Sequence, residues 1–176
     1  MGGNGFLLRI GIIVGIVVVL FIIAAVVISS LAPKGSTPGL TAVAERQQEI
    51  IRIATAAEDQ ATSQDTKNFV TNAAVSITSS QQSVITYLGK HGTKLVPKVL
   101  ALDQSSQTDS TLASAATANN YDSAVAQNLT TQLQTYQSLL QTTYNQTTGT
   151  QAKALLKTCY SGAAQLLAQA KALTDE

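Results

Sequence analysis

Residues 151–173 read QAKALLKTCYSGAAQLLAQAKAL. Ala152, Leu155, Leu156, Cys159, Ala163, Leu166, Leu167 and Ala170 recur three and four positions apart. That spacing lays one apolar stripe along a helix and leaves Lys and Gln to the other faces. The pattern repeats upstream. Asp122–Gln146 carries Val125, Leu129, Leu133, Tyr136, Leu140 and Tyr144, and Asp65–Leu88 carries Phe69, Ala73, Ile77, Val84 and Leu88. Leu40–Thr62 carries Leu40, Val43, Ile50, Ile51, Ala54 and Ala61. Between these segments stand turn formers: Ser63-Gln64-Asp65, Gly89 as a C-terminal cap, and Thr147-Thr148-Gly149-Thr150. Pro97 suits the start of a short helix at Lys98–Leu102, and Thr108–Ala118 predicts another, closed by Asn119-Asn120. Asp122 is placed to cap the helix that follows. The expected fold is all-α: an antiparallel four-helix bundle over 40–176 with one or two short extra helices.

Ahead of the bundle the chain changes character. Residues 10–33 are uncharged, bracketed by Arg9 and Lys34, and Ile10–Ile28 is apolar apart from Gly11 and Gly15. A hydrocarbon core of about 30 Å needs roughly 20 helical residues, so 10–31 predicts a transmembrane helix. Ile10, Ile13, Val17, Leu20, Ile23 and Val27 are its anchor residues; 1–9 is a short tail and 32–39 a linker of turn formers. A cleaved signal peptide is the competing reading, but its apolar region usually runs about 7–15 residues. Pro33 also follows the best small-residue cleavage pattern, Ser30-Leu31-Ala32. The short tail with Arg9 favours a single-pass protein of the cell membrane, N-terminus cytoplasmic and C-terminal domain extracytoplasmic. Gly5-Phe6 before a long apolar helix also suggests a pilin-like filament subunit, but the acid expected near the start of such a helix is missing.

Without Arg9, the chain from Lys34 onward holds ten basic and ten acidic residues. A neutral domain lacks the positive field that phosphate backbones require, which argues against nucleic acid, and none is expected as a partner. The partners expected are the lipid bilayer and an envelope protein or cell-surface polymer.

One ordered set of landmarks resembles a known family. Glu49 and Ala57 precede Ser63-Gln64-Asp65-Thr66-Lys67-Asn68-Phe69; Leu88 to Gly92 and Leu95-Val96-Pro97 follow. Asn120-Tyr121-Asp122 then opens a long helix, and Leu166-Leu167-Ala168-Gln169-Ala170-Lys171 lies in the last. Over about 44–173 this resembles the secreted or membrane-attached bacterial proteins of unknown function with a ferritin-like four-helix bundle. The resemblance implies interior histidines at Ser76-Ile77, near Leu133 and at about Leu166, and this chain has none of them. No Glu-x-x-His pair occurs, so the resemblance implies the fold and argues against a di-iron site. Apolar residues at those positions predict a hydrophobic centre. No metal, cofactor or catalytic residue is expected.

The remaining chemistry-bearing residues have plain readings. Cys159 sits on the apolar stripe as a small buried hydrophobe, with no basic group beside it to lower its pKa. Glu45, Glu49 and Arg52 predict surface ion pairs of a helix. Tyr121, Tyr136, Tyr144 and Tyr160 are expected at the core edge. Asn128 and Asn145 match glycosylation acceptors by chance in a Thr-rich sequence. Lys90, His91, Lys94 and Lys98 form a small basic loop, a candidate interaction site for an anionic polymer or headgroup. The function expected is a non-enzymatic structural or interaction role in the envelope; a metal- or oxidant-handling ferritin-like protein and a filament subunit are the alternatives.

Overall fold

The computed structural model describes residues 36–174. The run read as a membrane span, with Ile10, Ile13, Val17, Leu20, Ile23 and Val27, lies outside the described residues. The described residues belong to one compact unit, 34–176. Among the described residues no helix is long and apolar enough to cross a membrane.

This unit is all-α. Four long helices, α1 (Ser36–Glu58), α2 (Gln64–Lys90), α5 (Tyr121–Gln146) and α6 (Thr150–Thr174), surround the core. The segment between α2 and α5 holds α3 (Pro97–Leu100), a 3-10 turn (Ala101–Asp103) and α4 (Ser106–Thr117). Paired residues fix the directions. Gln81 of α2 donates to the Ala44 carbonyl of α1, and Asn72 of α2 to Gln169 of α6. Thr143 of α5 packs at Gly39 of α1, while Asp122 of α5 reaches Thr62 just past the end of α1. Each neighbouring pair of long helices is therefore antiparallel. α1–α2 and α5–α6 are tight hairpins, and α2 joins α5 by a crossover that travels the length of the bundle along α1.

Burial explains the arrangement. Leu40, Val43, Ile50, Ala54 and Ala57 on α1 meet Val70, Ala73, Val84 and Leu88 on α2, all fully buried. Val125, Leu129, Leu133 and Leu140 on α5 and Ala152, Leu156, Ala163 and Ala170 on α6 complete the core. Alanine at so many interior positions lets backbones approach closely, where removal of apolar area from water supplies the main driving force.

The ends of the helices differ from the sequence expectation. α1 begins at Ser36, so Thr37-Pro38-Gly39 belongs to its first turn rather than to a linker ending at residue 39. Proline is tolerated there because the first amides lack helical partners. Gly39 is a contact residue: a Cβ at that position would lie 2.7 Å from the Thr143 Cγ2. At its other end α1 stops at Glu58, four residues before Thr62. The Asp122 carboxylate accepts from the backbone N–H groups of Thr62 and Ser63, at 2.9 Å each, and from the Thr62 hydroxyl. Asp122 thus clamps the α1–α2 turn instead of capping its own helix, whose N-cap Asn120 makes no side-chain cap bond. Gly89 lies inside α2, and Gly92 closes the helix at φ 82°. The Thr93 N–H bonds the Leu88 carbonyl and the Gly92 N–H bonds that of Gly89, a Schellman ending. Asn119 ends α4 in the same way at φ 53°.

Candidate functional site

The middle of the bundle is the apolar centre expected, but it also holds a small polar network. Ile77, Leu133 and Leu166, at the positions where the resemblance places histidines, are indeed buried apolar side chains. Beside them each long helix contributes one polar group. Gln47 of α1, with no solvent exposure, donates from Nε2 to the Tyr136 hydroxyl of α5 at 2.6 Å and to the Ser80 Oγ of α2 at 2.9 Å. Ser80 in turn donates to the Cys159 Sγ of α6 at 3.1 Å. Tyr136 is fully buried, not at the core edge, whereas Tyr160 is 41% exposed. The Gln47 Oε1 has no partner.

This network is neutral, and its surroundings keep it so. Burial pushes the Cys159 thiol above its ordinary value, against the hydrogen bonds of Ser80 and Tyr136. Burial holds the Tyr136 phenol well above its ordinary range, with the neighbouring Cys159 adding to the effect. A thiol so placed is a poor nucleophile, because thiolate is the reactive form. Cys159 also lines a partly open cleft of about 200 Å³ between α2 and α6, with Ser76, Ser79, Ser83, Thr158 and Gly162.

A second polar cluster fastens the crossover to α1. Glu49, read from sequence as a surface acid, is fully buried. Its carboxylate takes Arg52 bidentately, at 2.8 Å to Nε and 2.9 Å to Nη2, and accepts from the Ser105 N–H at 3.2 Å. Arg46 Nη1 donates to the Gln132 Oε1 of α5 at 2.6 Å, and Nη2 to Asp103 at 3.2 Å. Its Nε lies 2.8 Å from the other Asp103 oxygen, an ion-pair distance without hydrogen-bond alignment. Burial raises the Asp103 pKa, with Glu49 adding and Arg46 opposing, and burial followed by Asp103 raises that of Glu45. Two arginines and four nearby carboxylates, with Asp109 on Arg52 the fourth, thus make a structural clamp.

The predicted interaction loop sits at the end of the bundle where α1 begins. Lys90, His91, Lys94 and Lys98 are all exposed. The His91 ring stacks on Tyr87 with centroids 4.1 Å apart, and its Nδ1 lies 2.8 Å from the Tyr87 carbonyl oxygen. Among the described residues the ion pairs use only Arg46 and Arg52 as cations, so these lysines are not consumed internally. No cluster of three His, Cys, Asp or Glu side chains able to hold a metal occurs among the described residues.

Gln47, Ser80 and Arg46 were not singled out from sequence. A signal for Gln47 was present: Leu40, Val43, Gln47, Ile50, Ala54 and Ala57 step by three and four, which puts an amide on the inner stripe. No protein-family model, curated protein or solved structure matches the chain.

Proposed function

We propose that this chain is a membrane-tethered helical bundle of the cell envelope, held outside the membrane by residues 10–31, with a non-enzymatic structural or interaction role. Two antiparallel hairpins joined by one long crossover are the connectivity of ferritin-like bundles, which supports the family resemblance read from the sequence. The observation that carries the functional reading is the neutral network of Gln47, Ser80, Tyr136 and Cys159. Ferritin-like metalloproteins present carboxylates and imidazoles from all four helices toward the bundle centre. Here the same four helices supply an amide, two hydroxyls and a thiol, which tie the helices together without offering a charged ligand set.

Two measurements on the full chain test this. Membranes carrying the protein are washed with alkaline carbonate, and retention in the pellet is expected of a spanning helix; release would overturn the tether. Metal analysis of the purified chain is expected to find less than stoichiometric metal. One iron or zinc per chain would instead favour the metal- or oxidant-handling reading.

A further inference from the structure

The domain is neutral in sum but not in distribution. At the end where α1 begins, the chain passes through 36–44, 88–102 and 141–157. These segments contain Lys90, His91, Lys94, Lys98, Lys153 and Lys157, and no Asp or Glu. The first acid along α1 is Glu45, about 14 Å of helix from Ser36. Glu58, Asp59, Asp65 and Asp122 gather at the opposite end with Lys67 and Lys171. A Cβ at Gly149 would lie 3.8 Å from the Tyr87 hydroxyl, which brings the α5–α6 turn next to the Lys90 loop. Lys153 lies over the Tyr144 ring, 5.0 Å from its centroid. Val96, 44% exposed, stands between Lys94 and Lys98.

We propose that this basic end is a docking surface for the anionic lipid headgroups of the bilayer that anchors the chain. The inference rests on the tether proposed above, and chain length is what selects a membrane as the occupant. Five peptide bonds join Leu31 to Ser36, so a span ending at Leu31 holds the start of α1 within about 18 Å of the bilayer. The acid-free end is then the end that meets the headgroups. Lysines near an anionic surface each strengthen attachment several-fold, and the field reaches only a Debye length. An exposed valine among them adds a small apolar contact.

The chain has no tryptophan, so Val96→Trp installs a single reporter. The full-length variant is reconstituted into vesicles containing brominated lipid, either zwitterionic or one-third anionic. Strong quenching in the anionic vesicles, weak quenching in the zwitterionic ones and reversal by 1 M salt are expected. Val75→Trp, 65% exposed and fifteen residues from Lys90 on α2, should stay unquenched in both. Adding K90Q, K94Q and K98Q to the Val96→Trp chain should lower the docked-to-undocked ratio by on the order of 100-fold. Leu102→Trp, on the neighbouring 3-10 turn, replaces the first reporter if Val96→Trp loses helical circular dichroism. Equal quenching in both lipids, or none, from a carbonate-resistant chain would overturn the docking surface and leave the tether standing. A chain that carbonate releases loses the tether; quenching when it is added to preformed anionic vesicles would still support the surface, and its absence would overturn it. A Val96→Trp spectrum shifted by heparin but never quenched by lipid would overturn the proposal in favour of an anionic polymer.

Discussion

The Gln47 amide and the Tyr136 hydroxyl meet at 2.6 Å across the α1–α5 interface, both without solvent exposure. A buried pair of this kind contributes about 1 kcal/mol net, while each partner left alone is costly. Tyr136→Phe is expected to destabilise the domain by about 1–2 kcal/mol in urea unfolding. In a Gln47→Leu background, where the unpaired Oε1 is also gone, the same substitution should cost close to nothing. A double-mutant cycle reads that coupling directly; additive effects would show that the pair does not interact.

Glu49 is the centre of the crossover clamp. Its carboxylate is fully buried, but its partner Arg52 is partly exposed and keeps Asp109, so removing Glu49 loses the acid's own bonds to Arg52 and the Ser105 N–H, about 1–3 kcal/mol. Glu49→Ala should therefore lower stability by that order and loosen 101–109, seen as faster amide exchange there than in α6. A loss below about 1 kcal/mol would place Glu49 in solvent.

Two glycines in helices give opposite expectations. Gly39→Ala sets a Cβ against the buried Thr143 methyl and should cost about 1–3 kcal/mol. Thr143→Ser removes that methyl and should restore most of the loss. Gly162→Ala meets nothing within 4 Å and should stabilise α6 by about 0.5–1 kcal/mol, the helix-propensity gain. Thermal melts of the three variants check both signs.

Much of this architecture is legible in the sequence because apolar periodicity reports burial. The stripes of α5 and α6 named their inward residues down to Leu133 and Leu166, and Ser63 marked the start of α2, where it caps Thr66. What the pattern hides is polar burial. Glu49 and Arg52, three apart, look like an ordinary surface pair; only the return of the crossover, which carries Ser105 and Asp109, buries the acid. Such long-range cover has no local signature. Asp122 misled for a related reason: its carboxylate serves the turn sixty residues earlier rather than its own helix. The basic loop was visible as a cluster, but its place at the α1 end needed the hairpin geometry.

That same carboxylate gives a pH dependence. Burial pushes Asp122 up, yet the hydrogen bonds from Thr62 and Ser63, with Lys67 nearby, leave its pKa below the ordinary 3.8. A depressed acid adds stability above its unfolded value, and that stability is lost as pH falls through the folded one. The stability gap between the native chain and Asp122→Asn should be constant above about pH 5 and shrink steadily toward pH 2. Asp103 and Glu45, both raised, act in the opposite direction in each protein and cancel in the difference. A gap that widens on acidification would contradict the clamp.

The central claim is that residues 10–31 hold this bundle outside the membrane. The direct measurement is protease treatment of intact cells, with the outer face made accessible, followed by detection of a tag at each end of the chain. The account predicts that the C-terminal tag is lost while the N-terminal tag stays protected with the membrane. A C-terminal tag that survives until the membrane is broken would contradict it.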